Sequence, residues 1–234
     1  MTWPFENDTS GIVKRISNRS ISANRKRNIF IVLTIVLASA LLSAIVLYGF
    51  GVMQETQNRN QKTAQIMYHA ISEQQGQELY KQEEIAWVGE FFNAFSEQVN
   101  HSTVNFTYAN ADMLTSQSMP YSGDLPASEN EIVVQESFLD SLGYSNELGQ
   151  TIQIPFSDGT THDFKLTGIL DVKTGDIGRY TAIISKELVR QQYGDGGMID
   201  YYIGLKGAQN MSEEEATNYA NTLAQQLKIS DDNV

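Results

Sequence analysis

The sequence predicts an α+β protein: one N-terminal transmembrane helix, extended by a stalk helix into an extracytoplasmic α+β domain with a β-rich insertion. Three observations predict this. Ile29–Phe50 is an uncharged run of 22 residues. Several segments beyond residue 83 alternate apolar and polar side chains with the period of half-buried strands. Helical segments with capping signals are interleaved with them, the last opening on Ser212-x-x-Glu215.

At about 1.5 Å per residue the run covers roughly 33 Å, enough to cross a hydrocarbon core of about 30 Å. A helix satisfies its own backbone there, and Thr34, Ser39 and Ser43 can bond back to the preceding turn. A buried core helix would show a polar face over such a length. Cleavage as a signal peptide is the competing reading, because Ala38-Ser39-Ala40 has the right form. Signal apolar regions run about 7–15 residues, however, and here apolar sequence continues to Phe50. An uncleaved anchor is expected.

Charge divides at the span. Residues 1–28 carry six basic side chains (Lys14, Arg15, Arg19, Arg25, Lys26, Arg27) against Glu6 and Asp8, whereas residues 51–234 carry 10 basic against 26 acidic. Arg25, Lys26 and Arg27 abut the span and set topology, with the N-terminus cytoplasmic and the acidic part outside. An acidic outer domain disfavours nucleic acid as a partner. The chain has no cysteine, which removes disulfides, thiol catalysis and cysteine-ligated zinc.

In order, Met1–Ser10 reads as a loose start. Gly11–Asn28 reads either as a basic amphipathic helix on the inner membrane surface or as a plain positive flank. Gln54–Lys81 has no proline and one glycine, and Ile66, Met67, Ala70 and Ile71 fall at helical spacing, so the membrane helix is expected to continue as a stalk to about residue 82. Glu84–Phe92 reads as a strand covered on both faces, and Thr103–Tyr108 as an alternating strand. Met119–Pro126 is an irregular connection. Glu131–Gln135 is a strand, Ser137–Leu142 a helix capped by Gly143, and Thr151–Phe156 and His162–Leu170 a hairpin about Ser157-Asp158-Gly159. Tyr180–Ile184 leads into a helix at Lys186–Tyr193, Gly194–Gly197 breaks the chain, and Ile199–Leu205 is a last strand. The stripe of the final helix is Ala216, Tyr219, Ala220, Leu223 and Leu227. The order suggests a helix-and-sheet layer with a β-rich insertion at about 113–180.

Signals for chemistry are sparse. His69, His101 and His162 stand far apart, without metal-ligand spacing. There is no phosphate loop, dinucleotide fingerprint or nucleophile elbow, and Gly168–Gly178 follows none of these patterns. Asp158-Gly159 and Gly194–Gly197 lack the alternating oxygen ligands of a calcium loop. Tyr121, Tyr201 and Tyr202 are candidates for a partner surface, with cross-strand packing as the plainer role. No catalytic residue, cofactor or metal is expected.

Three stretches carry a family resemblance: RSISANRKRNIFIVLTIVLASALL; GDLPASENEIVVQESFLDSLGYSNELGQTIQI (Gly123–Ile154) followed by FKLTGILD (Phe164–Asp171); and YTAIISKELV (Tyr180–Val189). Together these resemble the MacB/FtsX-like permeases of ABC transporters. In that family one membrane helix precedes a large extracytoplasmic core domain, and three more membrane helices follow. Pro126, Glu129, Asn130, Glu131, Leu142, Gly143, Leu148, Gly149 and Ile152 match its proline-glutamate-asparagine-glutamate region and its leucine-glycine and "lGqti" positions. These are folding signals: Pro126 stiffens an entry, Gly143 caps a helix and Gly149 turns into a strand.

The resemblance implies a non-catalytic membrane subunit in the cell membrane, with ATP hydrolysis on a separate cytoplasmic ATPase. It further implies a homodimer or paired permease contacting membrane lipid, and peptides, lipids or drugs as substrates. The domains expected are a cytoplasmic basic segment (1–28), a span (29–50), a stalk (51–82) and a core domain (83–234). Since the sequence stops at Val234, it is expected to be the N-terminal part of such a permease or a split subunit. The alternative is a single-span sensor or ligand-binding protein, for which a pocket with convergent polar groups is expected.

Overall fold

A computed structural model describes residues 9–172, 179–194 and 199–233. Most of the start read at Met1–Ser10, part of the segment Gly168–Gly178 and part of the break read at Gly194–Gly197 lie outside these residues. The chain forms two compact units, 1–56 and 57–234.

In the first unit, α1 (Ser10–Ala23) is followed by the start of α2 (Arg25–Lys62). A 31-residue stretch of α2, Arg25–Glu55, is long and apolar enough to cross a membrane, and none of its most apolar part is buried within the protein. Thr34 Oγ1 donates to the Phe30 carbonyl at 2.8 Å and Ser39 Oγ to the Val36 carbonyl at 2.9 Å, so these hydroxyls need no outside partner.

The second unit contains, in order, β1 (Ile66–Ile71), α3 (Glu73–Leu79), β2 (Ile85–Val99), β3 (Ser102–Ala109), α4 (Ala111–Ser116), β4 (Tyr121–Gly123), β5 (Glu131–Gln135), α5 (Glu136–Leu142), β6 (Thr151–Pro155), β7 (Thr161–Leu170), β8 (Arg179–Ile184), α6 (Lys186–Tyr193), β9 (Ile199–Leu205) and α7 (Glu213–Leu227). The strands make one sheet in the order β1-β9-β2-β3-β8-β5-β7-β4, with β6 paired to β7. Two neighbouring pairs, β3–β8 and β5–β7, are parallel. The strands of the β-rich middle therefore continue the same sheet through β8.

The stalk is shorter than expected. Residues 66–71 are not helical: β1 pairs antiparallel with β9, Ile66 opposite Ile203 and Tyr68 opposite Tyr201. A bulge between Tyr68 and Ile71, with Ala70 at φ +46°, shifts the alternation so that Ile66, Tyr68 and Ile71 are all buried. A bulged strand loses its period of two, and its apolar residues then imitate helical spacing. Residues 73–79 form a separate helix, capped by Ser72 with Gln75 in a reciprocal box.

One sheet face carries α3, α5, α6 and α7. Val104, Phe106, Ile132, Val134, Ala182 and Ile184 pack there with Phe138 and Leu139 of α5 and Leu188 and Val189 of α6. Tyr68, Tyr201 and Ile203 pack with Leu79 of α3 and Ala220, Leu223 and Ala224 of α7. The other face meets a smaller cluster, in which Met113 and Leu114 of α4 cover Ala109, Val133 and Ile183. Alternation along β3 divides Val104 and Phe106 from Thr107 and Ala109 accordingly. The short helix α4 and strand β4 were not legible in the sequence; Asn110 caps α4, its side chain accepting from Met113 N–H at 2.9 Å.

Gly143 ends α5 at φ +79°, where Gly143 N–H bonds to the Asp140 carbonyl (3.1 Å) and Tyr144 N–H to the Leu139 carbonyl (3.0 Å). A Cβ there would meet nothing within 4 Å. Gly143→Ala should therefore cost only the left-handed backbone penalty, about 1–2 kcal/mol, measurable as a lower denaturation midpoint at unchanged slope.

Candidate functional site: a buried ion network beneath the helices

Glu90 lies in the middle of β2 and is 4% exposed. It faces the helical layer, opposite Tyr201 of β9. Tyr80 Oη donates to Glu90 Oε1 at 2.9 Å, Tyr108 Oη to Oε2 at 2.6 Å, and Lys186 Nζ to Oε2 at 2.8 Å. Lys186 opens α6, which Ser185 caps by accepting from Leu188 N–H at 3.1 Å, so the cap fixes where the ammonium enters. The same ammonium lies 3.3 Å from Glu73 Oε1 at the start of α3 and 5.8 Å from the Tyr108 ring centre. Arg190, one turn further along α6, also pairs with Glu73.

Backbone support surrounds this carboxyl. Asn110 Oδ1 accepts from Glu90 N–H at 3.0 Å, and Asn110 Nδ2 donates to the Val88 carbonyl at 2.8 Å. Tyr201 completes the floor, with its ring against Gly76 of α3; a Cβ on Gly76 would sit 2.1 Å from Tyr201 Cζ. The single glycine of the segment read as stalk is thus the residue that lets α3 lie on a buried tyrosine. The network joins α3, β2, β3, α6 and β9.

The electrostatics follow from these contacts. Burial pushes Tyr80, Tyr108 and Tyr201 well above the usual phenol range, and the Glu90 charge adds to it. Burial alone would raise Glu73, but the Lys186 and Arg190 cations outweigh it and hold the carboxyl low. At β5, Glu131 is held low by N–H groups of Ala127 (3.0 Å) and Ser128 (3.2 Å), against a smaller opposing effect of burial, and Lys165 at 3.3 Å adds to the lowering. Carboxyls depressed on folding stabilise above their unfolded range, near pH 4.3, and that stability is lost as pH falls through the folded values. Phenols raised on folding stabilise fully below about pH 10, and that stability is lost as pH rises further. A circular-dichroism titration should show a stability plateau between about pH 5 and 10, falling on both sides.

The arrangement is a clamp. Three donors hold a carboxyl that solvent barely reaches, so its oxygens are spent on holding helices to the sheet. Among the described residues, no group of three or more His, Asp or Glu side chains is placed to hold a metal ion. His69 lies on β1, not a stalk, 3.3 Å from Asp200, while His162 lies on β7 beside Thr160 at 3.0 Å. His101 is in the β2–β3 turn at φ +66°.

The residues singled out in the sequence lie elsewhere. Ile29 and Phe50 are exposed on α2, and Arg25, Lys26 and Arg27 form its first turn. Pro126, Glu129 and Asn130 lie in the connection before β5, where the Asn130 carbonyl accepts from Lys165 N–H at 2.7 Å. Leu142 and Gly143 end α5, and Leu148 is 44% exposed. Gly149, at φ +89°, donates its N–H to the Leu166 carbonyl at 2.7 Å, and Ile152 is fully buried. These residues build the β5–α5–β6–β7 region and do not converge on one point. Of the three tyrosines, Tyr201 is buried while Tyr121 and Tyr202 are half-buried. The Glu90 network was missed, although Glu90, set between apolar residues in the interior of the strand EIAWVGEFF, is a signal: a buried charge requires a partner.

Residues 29–222 match the family model of the MacB-like periplasmic core domain. The chain belongs to that family. The expectation from the three sequence stretches is borne out, as is the α+β fold class. MacB-like members are components of ABC transporter permeases and partner an ABC ATPase; this chain is such a component, membrane-anchored and with an extracytoplasmic domain. Among solved structures, the chain is similar to the periplasmic region of MacB from Actinobacillus actinomycetemcomitans, with 15% identity, TM-score 0.47, and 69% of this chain and 81% of that one covered. It is also similar to a domain of a putative permease protein from Porphyromonas gingivalis (9% identity, TM-score 0.47, 68% and 77% covered). The extracellular domain of the noncanonic ABC-type transporter YknZ from Gram-positive bacteria gives 11% identity and TM-score 0.47, with 67% and 91% covered. A search of curated protein sequences gives no match.

Proposed function

We propose that this MacB-like chain couples ATP hydrolysis by a cytoplasmic ABC ATPase to export, extraction or signalling, through mechanical motion of its outer domain. The observation that carries the reading is covalent: the apolar helix α2 runs to Lys62, and only residues 63–65 separate it from β1. Those residues are tied to the sheet, since Gln65 N–H donates to the Ile203 carbonyl at 2.9 Å and its Oε1 accepts from Leu205 N–H at 2.8 Å. A displacement of α2 then reaches β1 and β9 through a short connection. From β9 it passes to β2, where the Glu90 network holds α3 and α6.

The N-terminus is cytoplasmic in this reading. Arg25, Lys26 and Arg27 occupy the first turn of α2, where the helix dipole disfavours cations by about 0.3–1 kcal/mol each. Cations retained there against the dipole are supported by the positive-inside bias. The unit acts as a homodimer or paired permease, and its substrate class is a peptide, lipid or drug. The experiment is co-purification from membranes with the partner ATPase. The complex should form, and its ATPase activity should change when the outer domain is cross-linked. An ATPase indifferent to the chain contradicts the reading.

A second reading, a membrane-anchored ligand-binding protein, is favoured by one observation: a cavity between α4 and the less covered sheet face.

A further inference from the structure

That cavity has a volume of about 310 Å³ and lies between α4, β2, β3, β8 and β9, on the face away from the ion network. Its wall is graded. At one end Phe91, Ala109, Met113, Leu114, Met119 and Ile183 are apolar. At the other, Asn93, Asn105 and Thr181 lie on neighbouring strands, in register: Asn93 opposes Thr107, and Asn105 opposes Thr181. Thr107 stands between the two ends. It is 6% exposed, and its Oγ1 is buried with no hydrogen-bond partner in the structure.

Among the described residues, no Asp, Glu, Lys, Arg or His lines this cavity. The domain around it is strongly acidic, so these uncharged lining residues are selective: an ion entering among them would leave water and find no counter-charge on them. A second cavity of about 420 Å³, lined by residues 63–67 with Ser116, adjoins the first through the shared residues Gln117 and Tyr202. At about 30 Å³ per water-sized group, the first cavity holds on the order of ten non-hydrogen atoms.

We infer that the cavity under α4 is a binding site for a small uncharged amphiphile, with an alkyl chain among Met113, Met119 and Ile183 and a hydrogen-bonding head at Thr107, Asn93 and Asn105. Two flexible methionines suit an alkyl chain of variable length. The amide and hydroxyl groups suit a neutral amide, ester or alcohol. The described lining residues all belong to the sheet domain, so the site stands whether or not the chain couples to an ATPase.

The test uses the full chain in lipid nanodiscs and a diazirine-bearing N-octylacetamide as photoprobe. Label is expected on peptides containing Met113 or Met119. Unlabelled N-octylacetamide should compete at least tenfold more effectively than octanoate or octylammonium. Thr107→Val should weaken labelling about fivefold to tenfold, the loss of one hydrogen bond, whereas Thr107→Ser should retain it. Label confined to α2, equal competition by the charged analogues, or labelling unchanged in Thr107→Val would overturn the proposal. A hydrophobic peptide displacing the probe more effectively than N-octylacetamide would overturn it in favour of a peptide site.

Discussion

Lys186→Met is expected to lower the stability of the outer domain by about 3–5 kcal/mol, because it leaves the Glu90 carboxyl buried without its counter-charge. Lys186 Nζ is 2.8 Å from Glu90 and 3.3 Å from Glu73, and its side chain is 19% exposed. An exposed ion pair would be worth about 0–1 kcal/mol, so the size of the loss distinguishes a buried network from a surface one. Glu73 keeps Arg190 in the variant, which confines the damage to Glu90. Adding Glu90→Gln should recover part of the loss, since the amide oxygen still accepts from Tyr80 or Tyr108 and no buried charge remains. Chemical denaturation of the detergent-solubilised chain, followed by tryptophan fluorescence, reads both effects. A loss below about 1 kcal/mol in the single variant would show that water reaches Glu90.

Phe106→Ala should cost about as much, 3–5 kcal/mol, through a cavity rather than a charge. Phe106 is 0% exposed, stacks on Phe95 at 4.6 Å between ring centres, and meets Phe156 at 5.5 Å and Phe164 at 6.3 Å. Its neighbours come from β2, from β7 and from the β6–β7 connection, so the ring holds the hairpin to the central strands. Collapse around the hole is limited because each neighbour belongs to a hydrogen-bonded strand or its turn. Phe106→Leu should cost much less, and a double-mutant cycle with Phe95→Leu should return a coupling of about 0.5–1.5 kcal/mol.

Compact apolar strands bounded by polar or turn residues were legible in the sequence. Glu131–Gln135 and Ile199–Leu205 have the bounds expected, and the Ser212–Glu215 capping box opens α7. Legibility failed where local pattern and tertiary pairing disagree. The bulge in β1 hides a strand inside an apolar spacing that fits a helix. In β2 the strand continues to Val99, seven residues past Phe92, because a bulge between Asn93 and Phe95 disrupts the period while β3 keeps pairing. The helix α4 and strand β4 are too short for any period to show.

The candidate site was less legible than the fold. Glu90 and Lys186 are 96 residues apart, and Glu73 and Arg190 are 117 apart. Only the sheet order, which places β8 beside β3 and β9 beside β2, brings α6 over β2. The unpartnered Thr107 was similarly invisible, since a threonine in an alternating strand reads as a solvated position. By contrast, the family was readable without the site, because its residues at 126–152 are turn and cap positions that any member needs in order to fold.

Transmission of motion along α2, between a cytoplasmic ATPase and the outer domain as proposed, is open to a direct test. The chain has no cysteine, so single cysteines at Gln54 or Glu55 of α2 report without background. The decisive measurement is the cross-linking yield between these positions in two protomers of the intact complex, with and without a non-hydrolysable ATP analogue. If α2 moves with the ATPase cycle, the yield changes several-fold with nucleotide state. A yield indifferent to nucleotide would contradict it.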